Sequence, residues 1–267
     1  MIFIGEQING TRKQIQEAII ARDKDFIIKI ALRQAEAGAD YLDVNAGTEP
    51  TRELDDMMWL LDIVQSVTET PICIDSSAPA TIKEAIHAVK QTPLINSINA
   101  DPHRLESFLP MIKEKNCPVI ALAMDESQSG MPKDAEERMT NVDKIFAATR
   151  SFGIEDSMIY VDPLIMAVAT NQKGGLIAFD SIRQILAKYP NTHITGGLSN
   201  ISFGLPNREL VNRTFLTLAV AAGMDSAVVN PVNVALIESL KATELLLGKD
   251  KFCRNYTTAA RNAFVKK

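Results

Sequence analysis

The sequence predicts an α/β fold, a single (β/α)8 TIM barrel, on three observations. Short apolar runs recur about eight times, and segments with the apolar spacing of helices separate them. The chain has 267 residues, the usual length of one complete barrel. Several runs end on a carboxylate or a carboxamide, as barrel strands do when their carboxyl ends form an active site. We therefore expect one domain, residues 1–267, with a polar site at one end of a parallel sheet.

The predicted strands follow the apolar runs in chain order. They lie at 2–6, 41–45, 72–75, 94–97, 119–124, 159–162, 193–198 and 226–229. Apolar residues three and four apart predict helices at 25–39, 57–69, 81–91 and 105–115. This alternation implies βαβ units and parallel pairing. The longest loops are expected at 125–139 and before Gly175, where they could cover a binding mouth.

Composition excludes several classes of protein. A net charge of -5 lacks the basic excess of a nucleic-acid-binding protein. The chain enters its first strand without a charged leader, and no run reaches about 18 apolar residues, so we expect a cytoplasmic protein without a membrane span. Three widely spaced cysteines argue against a disulfide framework and against a closed zinc site. No bound metal is expected.

Three polar side chains at predicted strand ends suggest the chemistry of the site. Asp75 ends the third strand, Asn96 lies at the end of the fourth and Asp162 ends the sixth. A carboxylate can accept two parallel N–H bonds from an amidine-like edge, and a carboxamide can donate and accept side by side. Each residue alone could equally cap the following helix. Together they favour recognition of a flat, hydrogen-bonding heterocycle such as a pterin.

Seven short stretches occur along the chain in a recognisable order. They are GEQIN from Gly5, LDVNAG from Leu42, ICIDSS from Ile72, LINSINA from Leu94, YVDPL from Tyr160, GLSN from Gly197 and NRTFL from Asn212. Together they resemble one enzyme family, the methyltetrahydrofolate:corrinoid protein methyltransferases. The resemblance runs over essentially the whole chain in the right order and includes AGMDSAVVNP from Ala222. More distantly, the chain resembles dihydropteroate synthase and the folate domain of cobalamin-dependent methionine synthase.

The resemblance implies that the substrate is a folate and assigns roles to particular residues. Asp75, Asn96 and Asp162 would hold the pterin ring. Asn200 would be the catalytic residue that contacts N5, the nitrogen that carries the methyl group. Since expulsion of an amide anion is unfavourable, N5 needs a proton or a strong hydrogen bond by the transition state. A hydrogen bond from Asn200 that strengthens as charge develops would contribute roughly 2 to 4 kcal/mol.

Other residues match the family pattern with less definite roles. Arg208 matches an arginine that contacts the ring in related barrels, although a helix-start ion pair is an equal interpretation. Phe203 stands where some relatives have a polar residue, which puts part of the hydrogen-bond network around N5 in doubt. Ser199 and Gly197, with Gly196, would shape the turn after the seventh strand. Around the first two strand ends, the residues expected to tie the mouth together are Glu6, Asn9, Asp43 and Asn45.

The resemblance also implies that the nucleophile comes from outside the chain. In the family it is the Co(I) of a corrinoid (cobalamin) carried by a partner protein. We expect this enzyme to be a homodimer. The nearest approach to a cobalamin-ligand motif is Asp101-Pro102-His103, but Glu106 stands where the motif has glycine. We expect His103 in a loop and the corrinoid on a separate protein.

Three other hypotheses remain open at this point. A dihydropteroate synthase-like condensing enzyme would keep the fold, but GEQINGTRKQ does not resemble the loop that such enzymes carry after strand one. The segment TGGLSN from Thr195 could instead bind phosphate in an aldolase-like or isomerase-like enzyme, although the acidic mouth would repel an anion. A folate-binding protein without catalysis would look the same in sequence. The direction of methyl flow is also open.

Overall fold

The computed structural model describes residues 1–128 and 130–265, with side chains through residue 261. Within this part of the chain, eight parallel strands form one sheet in the order β7-β6-β5-β4-β3-β2-β1-β8. The strands are β1 (Ile2–Asn9), β2 (Tyr41–Asn45), β3 (Ile72–Asp75), β4 (Leu94–Ile98), β5 (Val119–Leu122), β6 (Ile159–Asp162), β7 (His193–Ile194) and β8 (Ser226–Val229).

Helices follow the strands and cover the outside of the sheet. Their bounds are α1 (Lys13–Ala21), α2 (Lys24–Glu36), α3 (Glu53–Val67), α4 (Pro79–Ala88), α5 (Pro102–Lys115), α6 (Ala135–Ser151), α7 (Gly174–Lys188), α8 (Arg208–Ala222), α9 (Val234–Leu246) and α10 (Arg254–Val265). Three 3-10 helices, Asp156–Met158, Leu198–Ser202 and Lys251–Cys253, lie between them.

The sheet closes between its first and last strands in sequence. β8 pairs in parallel with β1. The remaining gap, between β7 and β8, is bridged where Gly197 pairs with Val228, and Val228 N donates to Gly196 O at 3.0 Å. The predicted (β/α)8 barrel is therefore confirmed.

The strands are apolar along their length and polar at their carboxyl ends. In β3 the residues before Asp75 are buried while Asp75 itself is half-buried, and β6 repeats this pattern before Asp162. Helices cover the outer face of the sheet and side chains pack the barrel interior. Both faces of such a strand are therefore buried and apolar. The apolar residues therefore anchor the strand in the core, and the last side chain of the strand lies at the barrel mouth.

Several predicted bounds were wrong in ways that matter for the site. β7 ends at Ile194 rather than at residue 198, because the chain turns at Gly196 and enters a 3-10 helix. β4 continues to Ile98, so Asn96 lies inside the strand rather than at its end. β1 runs on to Asn9, and β5 stops at Leu122.

Two segments predicted as loops are partly helical. α6 begins at Ala135, where Asp134 caps it by accepting from Glu137 N, so the long loop after β5 is shorter than expected. His103 lies in the first turn of α5, with its N–H bonded to Asp101, rather than in a loop. Helix α1, which no sequence pattern had indicated, follows β1 directly. No helix in the described ranges combines the length and hydropathy required to cross a membrane.

Candidate active site

A cavity of about 380 Å³ opens at the carboxyl ends of the strands, where the sequence predicted a site. Nine of the eleven predicted site residues line it; the other two, Arg208 and Asn45, lie behind the lining. The lining residues are Glu6, Asn9, Thr11, Arg12, Asp43, Asp75, Asn96, Ile120, Asp162, Gly197, Ser199, Asn200 and Val228.

Three adjacent strands bring Asp43, Asp75 and Asn96 together. Asp75 on β3 pairs in register with Asn96 on β4. The Asn96 amide Nδ2 donates to Asp43 Oδ1 on β2 at 3.2 Å. This bond fixes the orientation of the Asn96 amide, so that its Oδ1 atom is the acceptor available to a ligand.

Burial and electrostatic repulsion set the pKa values of Asp43 and Asp75. Burial raises the pKa of Asp43 well above its ordinary value, and the charge of Asp75 raises it further. Burial raises the pKa of Asp75 to about 6, against a hydrogen bond from Asn45 that lowers it. Since two close carboxyls resist double ionisation, the neutral form is favoured most at Asp43, the fully buried one of the two.

Asp162 is held by backbone amides at the end of β6. Its Oδ1 accepts from Leu164 N at 2.7 Å, and the amides of Gly197 and Ile165 also bond to it. Burial nevertheless raises its pKa to about 6. A Cβ atom on Gly196 would lie 3.2 Å from Asp162 Oδ1 and 2.7 Å from Ile165 Cδ1, so a glycine is required for the turn to pass this carboxylate.

Asn200 reaches the cavity from the 3-10 helix Leu198–Ser202, where the sequence predicted only a turn after the seventh strand. Its backbone N donates to Gly197 O at 3.1 Å. Its side-chain Nδ2 lies 3.0 Å from the place that a Cβ on Gly197 would take. The side chain is exposed to the cavity mouth. An amide in this position can donate to a ring nitrogen or accept from it.

Arg208 supports this 3-10 helix from behind. Its Nε donates to Ser202 Oγ at 3.0 Å, and its Nη2 donates to Ser199 O at 2.8 Å. Phe203, which is 67% exposed, lies outside the cavity with its ring centroid 5.9 Å from Arg208 Cζ. Arg208 thus contacts the segment that carries Asn200, and Phe203 is not among the residues that line the cavity.

Residues in the second half of β1 and just after it complete the rim, and sequence reasoning missed two of them. Arg12 Nη2 lies 3.1 Å from Glu6 Oε1, and burial raises the pKa of Glu6 against this pairing. Asn9 Oδ1 accepts from Thr11 N at 3.0 Å and from Thr11 Oγ1 at 2.6 Å. Nothing in the segment GTRK marked Arg12 and Thr11 as site residues, since a polar turn before a helix has the same composition.

The barrel mouth therefore presents carboxylates and amides side by side at the carboxyl ends of parallel strands. The chain belongs to the pterin binding enzyme family, whose pattern it matches over residues 5–230. The resemblance stated from the sequence is therefore confirmed at the level of the family.

Comparison with individual proteins gives two relatives whose names state an activity. The chain is 39% identical to the methylcorrinoid:tetrahydrofolate methyltransferase of Eubacterium limosum, over 98% of this chain and 96% of that one. It is 29% identical to the methionine synthase of Mycobacterium leprae (strain TN) over 90% of its length, but spans only 21% of that protein.

Solved structures with the same fold include dihydropteroate synthases. The enzyme from Vibrio fischeri ES114 superposes with a TM-score of 0.70 at 18% identity, over 93% of this chain and 94% of that one. The Xanthomonas albilineans enzyme in complex with 7,8-dihydropteroate gives a TM-score of 0.66 at 21% identity, over 92% of each chain. At these identities the likeness establishes the barrel alone.

Proposed function

We propose that this protein is a methyltransferase that moves a methyl group between the cobalt of a corrinoid and N5 of tetrahydrofolate. The observation that carries the proposal is the 39% identity, over nearly the full length of both chains, to a methylcorrinoid:tetrahydrofolate methyltransferase. The name of that relative puts the methylcorrinoid first, so we assign the same direction here: methyl passes from cobalt to N5. The corrinoid is a substrate carried by a separate protein.

The pterin ring would lie over the cluster of Asp75, Asn96 and Asp162. The ionised carboxylates accept the N–H groups of the ring edge, and Asn96 Oδ1 accepts beside them because its Nδ2 is bonded to Asp43. Charged acceptors in a partly buried cavity give bonds stronger than neutral ones. Hydrogen-bond donors from the ligand also compensate the cost of burying both charges.

Asn200 would act at N5. In the forward step the N5 lone pair attacks the methyl carbon, the cobalt–carbon bond breaks with both electrons remaining on cobalt, and N5 then loses its proton. Positive charge develops on N5–H during the attack, so an amide oxygen that accepts from N5–H stabilises the transition state more than the ground state. In the reverse direction N5 takes up a proton before the methyl leaves, and the same amide oxygen accepts from N5–H in the shared transition state.

The remaining assignments belong to the same proposal. Residues 1–267 act as one domain, and two copies form a homodimer in the cytoplasm. Glu6, Asn9, Asp43 and Asn45 position the groups that touch the ring. Arg208 and Ser199 position the Asn200 segment, which the bonds from Arg208 to Ser199 O and Ser202 Oγ support.

The alternative of a dihydropteroate synthase-like condensing enzyme is supported only by similarity of fold. A phosphate site after β7 is also disfavoured, because the cavity presents four carboxyl groups (Glu6, Asp43, Asp75 and Asp162) against one cation, Arg12. An activity test is needed to distinguish the proposed enzyme from a folate-binding protein without catalysis.

The test incubates the protein anaerobically with tetrahydrofolate and methylcob(III)alamin and follows methyltetrahydrofolate by mass. Formation that depends on the protein and falls sharply in Asn200→Ala supports methyl transfer. Folate binding without methyl transfer, at any cobalamin concentration up to saturation, would leave a non-catalytic binder. Formation of dihydropteroate from a pterin pyrophosphate and 4-aminobenzoate would establish the condensing enzyme instead.

A further inference from the structure

A bulge in β1 decides which of its residues face the cavity. Between Gly5 and Ile8, β1 has two residues, Glu6 and Gln7, where its parallel neighbour β2 has only Asp43. Such an extra residue shifts the alternation of side chains along the strand, and it is rare between parallel strands. Bulges next to active sites often redirect a side chain, so this one calls for a functional explanation.

The shift brings Asn9 to the cavity in place of Ile8. In a regular strand Ile4, Glu6 and Ile8 would share one face of the sheet. Ile4 packs with side chains of four other strands, and Glu6 lines the cavity. Ile8 instead is fully buried in the main hydrophobic core, which includes residues of the surrounding helices, and Asn9 lines the cavity. Because of the bulge, Glu6 and Asn9 therefore both face the site.

The side chain of Gln34, on α2, holds this bulge from outside the barrel. Its Oε1 accepts from Gln7 N at 3.0 Å. Gln34 is fully buried, and its Nε2 atom has no hydrogen-bond partner among the described residues. A buried amide group without a partner is unfavourable, and a leucine would fill a similar volume without that cost. The bond to β1 therefore explains a glutamine at this position better than packing does.

Gly5 leaves the space that the Gln34 amide occupies. A Cβ atom on Gly5 would lie 2.6 Å from Gln34 Oε1 and 3.1 Å from Gln34 Cδ. The next nearest atom, Ala39 Cβ, would be at 3.5 Å, which is an ordinary contact. The need for glycine at this position is thus set by the Gln34 amide. Two residues distant in sequence therefore serve the same feature of β1.

We propose that Gln34 is a positioning residue for the folate site, because it holds the bulge that directs both Glu6 and Asn9 into the cavity. There, Glu6 pairs with Arg12 at 3.1 Å and Asn9 Oδ1 accepts from Thr11 Oγ1 at 2.6 Å. Gln34 itself does not line the cavity, so it acts through β1. The inference rests on the proposed function, since it concerns the cavity assigned to the folate.

The experiment measures the dissociation constant of methyltetrahydrofolate for the wild-type protein and for Gln34→Leu, which removes the acceptor and nearly keeps the volume. Without the bond to Gln7 N the bulge is no longer fixed, and Ile8 competes with Asn9 for the place in the cavity. Loss of groups that orient metal ligands typically costs about 10- to 100-fold in affinity, and we expect folate binding to weaken by about 10-fold here. Gln34→Glu keeps an acceptor oxygen and should restore most of the affinity.

Matched variants separate positioning from loss of stability. Ile27→Val removes one methylene from a fully buried side chain of the same helix; it should lower the free energy of unfolding but leave folate affinity unchanged. Gly5→Ala displaces the Gln34 amide and should weaken binding as Gln34→Leu does. Asn9→Ala should weaken binding in the wild-type background and add little in Gln34→Leu, where Asn9 has already lost its place.

Three results would overturn the inference. One is wild-type folate affinity in folded Gln34→Leu, and another is an equal weakening by Ile27→Val. The third is an effect of Asn9→Ala that is absent in the wild-type background or that multiplies with the effect of Gln34→Leu.

Hydrogen exchange at the Gln7 amide keeps the bulge testable apart from the folate. Exchange should be faster in Gln34→Leu than in the wild-type protein. If Gln34→Leu does not fold, Gly5→Ala takes its place, and unchanged exchange together with unchanged folate affinity would contradict the inference. Failure of the wild-type protein to bind the folate at any concentration would instead refute the proposed function itself, while exchange at Gln7 would still report on the bulge.

Discussion

The side-chain amide nitrogen of Asn200 lies 3.0 Å from the point that a Cβ atom on Gly197 would occupy. Gly197 has φ -70 and ψ 90, a backbone conformation that alanine also adopts. The need for glycine at this position is therefore one of space: the missing side chain leaves room for the Asn200 amide at the cavity mouth.

Gly197→Ala should displace the Asn200 amide without altering the backbone. Because a shift of about 1 Å at a reacting centre can cost 10- to 100-fold in rate, we expect a rate loss of about that size with folate affinity nearly retained. Single-turnover methyl transfer and equilibrium binding measure the two effects. Gly175→Ala is the control, since an added Cβ there meets only Phe179 ring atoms at 3.8 and 4.0 Å. If Gly197→Ala transfers methyl at the wild-type rate, the expected contact between the added Cβ atom and the Asn200 amide would be contradicted.

Asn200→Ala should lower the methyl-transfer rate more than it weakens folate binding. By comparison with other single hydrogen bonds made in a transition state, we expect a rate loss of about 100- to 1000-fold. The measurement is the single-turnover rate at saturating folate, beside the dissociation constant. Asn191→Ala, an exposed position before β7, serves as the control. Equal losses in rate and affinity would show uniform binding rather than transition-state stabilisation.

Asp75→Asn should stabilise the ligand-free protein at alkaline pH. The folded-state pKa of Asp75 is raised to about 6 from an ordinary 3.8, so ionisation of Asp75 opposes folding as pH rises through that range. Removal of the charge should increase the free energy of unfolding at pH 8 by about 1 to 3 kcal/mol. The gain should shrink as pH falls from 6 through 3.8, because the wild-type carboxyl is neutral in both states only below its ordinary pKa.

Urea unfolding at several pH values measures this gain, with Asp180→Asn on α7 as the control because that carboxyl is already exposed to solvent. The same Asp75→Asn protein should bind methyltetrahydrofolate weakly. A stabilisation that is independent of pH, or normal folate affinity, would contradict the assigned charge and role of Asp75.

Arg208→Ala should reduce the rate of methyl transfer through loss of support for the Asn200 segment. Arg208 donates to Ser199 O at 2.8 Å and to Ser202 Oγ at 3.0 Å and does not line the cavity. Folate affinity should therefore change less than it does in Asp75→Asn. Arg183→Ala, at an exposed position on α7, is the control. A loss of affinity as large as that of Asp75→Asn would indicate a direct contact with the ring.

Much of the fold was predictable because its determinants are local. The continuous apolar runs of β3 and β6 end on Asp75 and Asp162, and this pattern alone places both carboxylates at the mouth of a parallel barrel. Asn96 was also expected at the mouth. Its position inside β4, where it bonds to Asp43, depends on register with β2 and β3, which no single segment specifies.

Other parts of the site depend on tertiary context. A side chain at Gly196 would meet Ile165 and Asp162, so the turn there depends on contacts distant in sequence, and the strand predicted to end at residue 198 stops at Ile194. The first turns of α6, which carry the buried Arg138, fell in a stretch interpreted as a loop, because charged residues there hide the helical apolar spacing. Whether a charged side chain of α6 is buried can be known only once that helix is placed against the sheet.

The central claim is most directly tested by rapid anaerobic mixing of Co(I) cobalamin with methyltetrahydrofolate, in which the cobalt absorbance is followed with wild-type protein and with Asn200→Ala. Methyl transfer is reversible, so this reverse reaction reports the same transition state. We expect wild-type protein to convert Co(I) to methyl-Co(III), and Asn200→Ala to do so far more slowly while still binding the folate. A cobalt spectrum that stays unchanged while wild-type protein is saturated with folate, at every cobalamin concentration tested, would contradict methyl transfer as the function.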